Sequence, residues 1–216
     1  MPSLTEKEFA AVISGRSKKA NAELDIPARY QRMSFENFVD TDRQIHTMQK
    51  ALLQKRGVYL HGDCGTGKTH VACALMLDWF ANALRQSNEG KRQHPTSKFI
   101  STVNLLLKFK ETFNTRSGEA ELIRKYTSIE LLLLDDIGAE RATTWSKDTI
   151  ITLVGLRDED KRQTIFTSNL NLQAISESYD DRISSRIGGT CAVVKLAGPD
   201  RRLVPIPVQE KLAVND

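Results

Sequence analysis

The sequence lacks any apolar run that is long enough to cross a membrane. Its most notable apolar run, Leu131 to Leu134, is far shorter than the roughly 20 residues that a spanning helix needs. The beginning of the chain, Met1 to Glu6, also lacks the apolar stretch of a secretory signal peptide. We therefore expect a water-soluble, cytoplasmic protein with no membrane partner.

Cysteine is also scarce in this chain. The three cysteines, Cys64, Cys73 and Cys191, are an odd number and include no pair at the spacing of metal ligands. These two facts argue against a disulfide framework and against a zinc site. We expect reduced, structural thiols, and only Cys64 lies near a predicted helix N-terminus, where a thiol can become reactive.

The chain has no strong surplus of one charge and no internal repeat. It contains 31 lysine and arginine residues against 27 aspartate and glutamate residues, which permits a nucleic-acid partner but does not identify one. With 216 residues, the chain is long enough for one globular unit with short appendages. We predict an N-terminal helix and linker at residues 1–25, a main domain at 26–202 and a C-terminal tail at 203–216.

Short apolar segments alternate with segments of helical spacing along the main domain. This alternation predicts an α/β fold in which a parallel five-stranded sheet is covered on both faces, as a three-layer sandwich. Two polar stretches interrupt the pattern: Gly15 to Glu23 reads as a linker or frayed helix end, and Arg85 to Lys98 as a solvated loop. The predicted strands are Gly57–His61, Phe99–Val103, Leu131–Asp135, Thr164–Ser168 and Cys191–Leu196.

A glycine-rich segment follows the first predicted strand and opens a helix, which is the context that a P-loop requires. Its glycines let backbone N–H groups turn inward around phosphate oxygens. Lys68 would reach the β and γ phosphates of a nucleotide, and Thr69 would ligate Mg²⁺. The predicted nucleotide-binding residues are Gly62, Asp63, Cys64, Gly65, Thr66, Gly67, Lys68 and Thr69.

Polar side chains follow two further predicted strands. A magnesium ion held by Thr69 needs a carboxylate at the end of a neighbouring strand, and Asp135 supplies it after four leucines. Asp136 is placed to orient or deprotonate an attacking water, and the amide of Asn169 to contact the γ-phosphate or that water. The alternative is that these groups are simply solvated where a buried strand ends.

Two arginines, Arg182 and Arg186, lie four residues apart in a predicted short helix. This spacing places both on one helix face, which suits delivery of a guanidinium group to the phosphate of a neighbouring subunit. An ordinary solvated or salt-bridged face explains the same spacing.

These motifs resemble those of the AAA+ helicase loaders of the DnaC/DnaI type and of the related IstB transposition ATPases. The resemblance covers roughly Ile26 to Arg202, and its first part is the Pro27–Tyr30 and Phe35–Phe38 segments before the first strand. It is carried by the P-loop and by the sequences LLLLDDIGAE (131–140), IFTSNL (165–170) and DRISSRI (181–187).

The resemblance implies a P-loop NTPase of the AAA+ type, with the helical lid domain absent or reduced, that uses ATP and Mg²⁺. It implies that Asp136 stands where many AAA+ proteins have glutamate, that Asn169 is the sensor residue and that Arg186 is the arginine finger acting across a subunit interface. Gly198 to Arg202 resembles the short closing motif of the family, with Arg202 at its arginine.

Three functions are compatible with these expectations. The first is a replicative helicase loader that forms an ATP-dependent homo-oligomer, binds a hexameric DnaB-like helicase and lays Leu105 to Lys125 over single-stranded DNA. The second is a transposition helper ATPase that binds duplex DNA. The third is a nucleotide-binding switch with little turnover, whose Phe9, Val12 and Ile13 dock a partner. The cations expected at the DNA are Lys108, Lys110, Arg116, Arg124 and Lys125.

Overall fold

The computed structural model describes residues 5–38, 42–112, 118–140 and 143–202. Arg116 and the predicted tail at 203–216 lie outside the described residues. The helices are α1 (Glu6–Ile13), α2 (Lys18–Glu23), α3 (Asp42–Leu53), α4 (Lys68–Asn88), α5 (Thr102–Glu111), α6 (Gly118–Ser128), α7 (Thr144–Glu159), α8 (Leu172–Ser178) and α9 (Asp181–Thr190). The strands are β1 (Gly57–His61), β2 (Ser97–Ser101), β3 (Leu131–Asp135), β4 (Gln163–Ser168) and β5 (Cys191–Lys195).

All five strands form one parallel sheet in the order β2-β3-β4-β1-β5. Because the strands are parallel, their carboxyl ends meet at one edge of the sheet. In register, Ser101 pairs with Asp135, and His61 pairs with Ser168. The predicted five-stranded parallel sheet is therefore confirmed, and its carboxyl edge brings β1, β3 and β4 side by side.

The sheet separates two apolar cores, which makes the fold a three-layer sandwich. Successive side chains of a strand point to opposite faces, and β3 shows this clearly. Leu131 and Leu133 pack with α3 and α4, whereas Leu132 and Leu134 pack with α5 to α9. All four leucines are fully buried, so a run of leucines without alternation is what a strand covered on both faces requires.

The N-terminal segment packs on the first of these cores. A capping box between Thr5 and Glu8 begins α1, and its Val12 is only 4% exposed. Phe9 and Ile13 pack against the same core, so the prediction that these three residues form a partner-docking face is wrong. The prediction of a linker or frayed end at Gly15 to Glu23 is also wrong, because α2 lies there with Ala20 buried.

The connection between α4 and β2 is shorter than predicted. Helix α4 continues past Leu84 to Asn88, and Gly90 follows it with a φ of +74°. Strand β2 begins at Ser97, before the predicted Phe99, and ends at Ser101, whose side chain caps α5. Even α4, with 21 residues, is not apolar enough to cross a membrane, nor is any other helix of the described ranges.

Candidate nucleotide site

The glycine-rich loop joins β1 to α4 at the carboxyl edge of the sheet. Its three glycines have positive φ angles: +148° at Gly62, +75° at Gly65 and +94° at Gly67. An added Cβ at Gly62 would lie 2.0 Å from the carbonyl oxygen of Leu196, which leaves no room for a side chain. The loop therefore has the conformation that glycine alone adopts readily, and it ends at the N-terminus of α4.

Lys68 folds back over this loop. Its side-chain amine donates to the carbonyl oxygens of Gly62 (2.8 Å) and Asp63 (2.7 Å), and the residue is 6% exposed. Burial lowers the pKa of the amine, while the nearby Asp136 carboxylate opposes that shift. The amine of Lys68 therefore lies at the loop, where hydrogen bonds to phosphate oxygens can replace those to the backbone carbonyls.

Asp135 ends β3 directly beside the loop. Its Oδ1 accepts hydrogen bonds from the hydroxyls of Thr69 (2.9 Å) and Thr167 (2.6 Å), which come from α4 and β4. Its Oδ2 is buried and has no hydrogen-bond partner within the described part of the chain. Burial raises the pKa of Asp135 to about 6. A buried carboxylate oxygen left without a partner is costly, which indicates that another group pairs with it.

The oxygen atoms beside the end of β3 are suitable ligands for Mg²⁺. Magnesium binds through one or two carboxylates together with substrate phosphates, and it prefers oxygen ligands. The Thr69 hydroxyl and the free Oδ2 of Asp135 are such ligands, side by side. The described ranges contain no group of three or more histidine, cysteine, aspartate or glutamate side chains placed to hold a metal ion.

The predicted catalytic residues Asp136 and Asn169 follow β3 and β4 at the same edge. Asp136 is partly exposed and adopts a φ of +55°, and its N–H donates to the Thr167 hydroxyl at 2.8 Å. The Thr167 hydroxyl thus donates to the carboxylate of Asp135 and accepts from the backbone N–H of Asp136. Asn169 is exposed immediately after β4. The sheet therefore brings Asp136 to the loop, whereas the role of Asn169 stays a prediction.

The two predicted arginines differ in their surroundings. Arg186 lies against Gly155 of α7, and its Nη2 is 3.6 Å from Oε1 of Glu159. Arg182 is exposed and forms an ion pair with Asp180 at 3.0 Å. Both of these side-chain contacts of Arg186 are with α7.

Residues from both ends of the main domain support the P-loop, and the sequence did not single out their roles. Phe38 covers Gly67, where an added Cβ would come within 2.4 Å of its ring. The guanidinium of Arg201 lies 4.3 Å from the centre of the Phe38 ring, and its backbone N–H donates to Gly65 at 3.0 Å. Asp200 lies against Gly65. In the sequence, the only indication of these residues was that their two segments, before β1 and after β5, resemble those of the loader family.

Arg29 and Tyr30 were likewise not assigned to the site. The Arg29 guanidinium stacks 4.4 Å above the Tyr30 ring, and that ring packs on Phe99 of β2. The charge of Arg29 lowers the pKa of Asp135, against the larger effect of burial, which raises it. The segment before β1 thus borders the nucleotide site on the β2 side.

Fold and site together define a P-loop nucleotide-binding protein of the AAA+ type. Within that class, the chain belongs to the family of IstB-like ATP-binding proteins, whose family model matches residues 16–203. The family match covers both the P-loop and the segment from Gly198 to Arg202.

Curated relatives of the chain are replicative helicase loaders. The chain is 24% identical over 200 residues to the replicative helicase loader DnaC of Escherichia coli K12, which covers 84% of this chain and 77% of that protein. It is 26% identical over 160 residues to the replicative helicase loader DnaI of Bacillus subtilis, covering 68% of this chain and 48% of that protein.

Solved structures of loaders have the same fold. The crystal structure of DnaI matches with a TM-score of 0.61 and 25% identity, covering 82% of this chain and 94% of that chain. The crystal structure of the DnaC helicase loader matches with a TM-score of 0.63 and 18% identity, covering 79% of this chain and all (100%) of that one. The predicted AAA+ fold and the resemblance to loaders are thus confirmed.

Proposed function

We propose that this protein is an ATP-hydrolysing loader of a replicative helicase. The observation that carries the ATP part is the unpartnered, buried Oδ2 of Asp135 beside the Thr69 hydroxyl and the P-loop lysine. The helicase part is supported by the relatives, which are named as replicative helicase loaders. The partner is accordingly a hexameric helicase, and the working form is an ATP-dependent homo-oligomer.

The chain's own residues divide the work of hydrolysis. Lys68 leaves the carbonyls of Gly62 and Asp63 and binds the β and γ phosphates. Asp135 and Thr69 hold Mg²⁺, which when bound neutralises phosphate charge. Asp136 orients the attacking water and accepts its proton. Arg186 reaches the nucleotide of a neighbouring subunit, where a guanidinium stabilises the charge of the transition state.

Single-stranded DNA is expected to lie on α5 and α6. Leu105 and Phe109 of α5 face the core, so only the outer faces of these helices meet solvent. Lys108 and Arg124 are exposed there, Lys110 lies 5.6 Å from the Trp145 ring centre and Lys125 lies 5.8 Å from that of Tyr126. Such cations bind backbone phosphates, and the partly exposed ring of Trp145 suits a stacked base.

Calorimetry tests the nucleotide site. We expect MgATP to bind the unsubstituted protein and Lys68→Ala to lose that binding, because the Lys68 amine lies at the loop and donates to two of its carbonyls. Lys55→Ala, which alters an exposed lysine before β1, is the matched control and should bind normally. If the folded, unsubstituted chain takes up no MgATP, the proposal fails.

A pull-down with MgATP tests the partner. We expect a hexameric replicative helicase to associate with the protein, and single-stranded oligonucleotides to bind more tightly than duplexes of equal length. Reversing the charge at two positions, with Lys108→Glu and Arg124→Glu, should weaken oligonucleotide binding and reduce the dependence of that binding on salt concentration. Reversing Lys18 and Lys19 of α2, which are also exposed, changes the net charge equally and is the control.

The family match favours a second candidate, because its model is named for IstB-like ATP-binding proteins. A transposition helper would bind duplex DNA in preference and associate with a transposase instead of a helicase. The pull-down and the oligonucleotide comparison separate the two functions. A switch with little turnover is the third candidate, and steady ATP hydrolysis that Asp136→Asn abolishes would exclude it.

A further inference from the structure

A loop of four residues, Ile137–Glu140, follows the predicted catalytic acid Asp136 and reaches Tyr179 at the end of α8. We name it the post-β3 loop. The Tyr179 hydroxyl donates to Oε1 of Glu140 at its end. In the middle of the loop, the N–H of Gly138 donates both to Oε2 of Glu140 and to the Tyr179 oxygen, at 3.1 Å each. The loop is thus bound to Tyr179 at two points.

The other end of the loop is fixed to the nucleotide site. Ala139 donates its N–H to the carbonyl of Asp136 at 3.2 Å, so residues 136–139 form one tight turn that directly precedes Glu140. Ile137 donates to the carbonyl of Thr167 at 2.9 Å, and Thr167 is the residue whose hydroxyl binds both acids. A displacement of Asp136 therefore moves the whole turn.

Tyr179 itself stands at the start of the arginine-bearing helix. It is the residue between α8 and Asp180, and Asp180 caps α9 by accepting the N–H of Arg182 at 2.7 Å. Helix α9 carries Arg186 one turn further on. The post-β3 loop also packs on this side, since an added Cβ at Gly138 would come within 2.7 Å of the Leu170 side chain.

The carboxylate of Glu140 needs this contact. Burial raises its pKa, which shows that the charged form has lost much of its hydration. The Tyr179 hydroxyl and the Gly138 N–H replace water as its donors. A partly buried carboxylate with two protein donors has a defined position, unlike an acid on the surface.

We propose that Glu140 and Tyr179 are positioning residues that link the occupancy of the nucleotide site to the N-terminus of α9. When Asp136 adjusts to a bound triphosphate, the turn carries Glu140 with it, and the bond to Tyr179 passes the adjustment to the helix that bears Arg186. The inference rests on the proposed ATPase function and deepens it, because each subunit's nucleotide then sets the arginine offered to its neighbour.

Hydrogen–deuterium exchange with and without MgATP tests the link. In the unsubstituted protein, MgATP should slow exchange of the α9 amides, Asp181–Thr190. Tyr179→Phe removes only the hydroxyl and should abolish that slowing, while the affinity for MgATP stays within about twofold because the P-loop and Asp135 are untouched. Turnover at saturating ATP should fall about tenfold with KM unchanged, as for a group that acts only after binding.

Two further variants identify the bond as the cause. Glu140→Ala removes the acceptor of the Tyr179 hydroxyl, so it should also lose the MgATP-dependent protection of α9. The double variant should be no worse than either single variant, because both remove the same interaction. Tyr126→Phe, which changes a buried tyrosine of α6, is the matched control and should retain the MgATP effect.

The possible failures can be told apart. If the unsubstituted protein binds no MgATP, the proposed function fails and this inference with it. If it binds MgATP but α9 exchange does not respond, or if Tyr179→Phe responds as the unsubstituted protein does, only the link between Glu140, Tyr179 and α9 is overturned. Loss of MgATP binding in Tyr179→Phe would also overturn it, by showing a structural role.

Discussion

At the scale of single residues, Asp135 has an environment that a solvent-exposed acid does not have. Two hydroxyls donate hydrogen bonds to its Oδ1, whereas its Oδ2 has no hydrogen-bond partner in the described structure. The residue is only 1% exposed. The ordinary pKa of an aspartate is 3.8, and burial raises that of Asp135 to about 6. The proton therefore competes with a metal ion for this carboxylate near neutral pH.

The first prediction concerns the pH dependence of MgATP binding. Below about pH 6, Asp135 is protonated and loses the charge that holds magnesium, so the magnesium-dependent part of the affinity should fall by up to tenfold per pH unit. Calorimetry at several pH values would measure this fall. Binding of ATP in EDTA is the control, because it reports the titration of the nucleotide itself. A magnesium-dependent part that stays constant from pH 5 to pH 7 would contradict the prediction.

The second prediction concerns stability without metal. The folded pKa of about 6 exceeds the ordinary value of 3.8, so the folded state holds the proton more tightly than the unfolded state does. Stability should therefore decrease as pH rises between these values. Asp135→Asn removes this penalty and should raise the free energy of unfolding near pH 7 by about 2–3 kcal/mol in EDTA. Below about pH 4, variant and parent should unfold at similar urea concentrations.

At the scale of elements, one buried arginine joins α6, α7 and β4. Arg157 is 2% exposed, and its guanidinium donates to the carbonyls of Tyr126 and Ile129 at the end of α6 and to Gln163 of β4. Its Nε donates to the Thr164 hydroxyl at 2.9 Å. Burial lowers the pKa of Arg157 to about 9, so the charge is retained at neutral pH.

The third prediction follows from these bonds. Arg157→Met would leave several buried carbonyls without donors, so we expect a loss of about 2–4 kcal/mol in the free energy of unfolding. Urea denaturation would measure the loss. Arg124→Met, at an exposed position of α6, should change stability by no more than about 0.5 kcal/mol. Equal effects of the two substitutions would show that the bonds of Arg157 contribute nothing.

Local patterns predicted the elements that hold the nucleotide, and distant contacts account for what they missed. The P-loop glycines lie within one short segment, and the leucines of β3 directly precede Asp135, so each local pattern alone predicted its turn, strand or acid. The contact of Phe38 with Gly67 crosses from the segment before α3 to the loop, and no local periodicity encodes it. The polar composition of α2 concealed a helix, because one of its two buried residues is the polar Asn21, whose side-chain amide donates to the carbonyl of Gly15.

At the scale of the whole molecule, the side chain of Arg186 lies against α7. Its guanidinium contacts Gly155 and Glu159, both on α7, and its side chain remains 38% exposed. An arginine in this position can serve a second chain. In a closed ring or a helical filament of copies, each chain would contribute its P-loop to one nucleotide site and its Arg186 to the neighbouring site.

The fourth prediction uses complementation between subunits. Arg186→Ala should bind MgATP normally but turn over slowly, and Lys68→Ala should not bind MgATP. Mixing the two inactive variants should restore part of the activity, because a Lys68→Ala chain supplies Arg186 to the intact loop of its neighbour. Arg182→Ala, which breaks an exposed ion pair, is the control and should remain active alone. A mixture as slow as its components would argue against an arginine acting between chains.

The exposure of Cys64 makes the loop a chemical reporter of its own occupancy. Of the three thiols, only Cys64 is exposed, whereas Cys73 of α4 and Cys191 of β5 are buried. A maleimide should therefore attach once to the native chain, and mass spectrometry can count it. Since Cys64 lies among the amides that surround the phosphates, a tightly held triphosphate should shield it, and the unlabelled fraction would equal the share of chains that carry nucleotide at that moment.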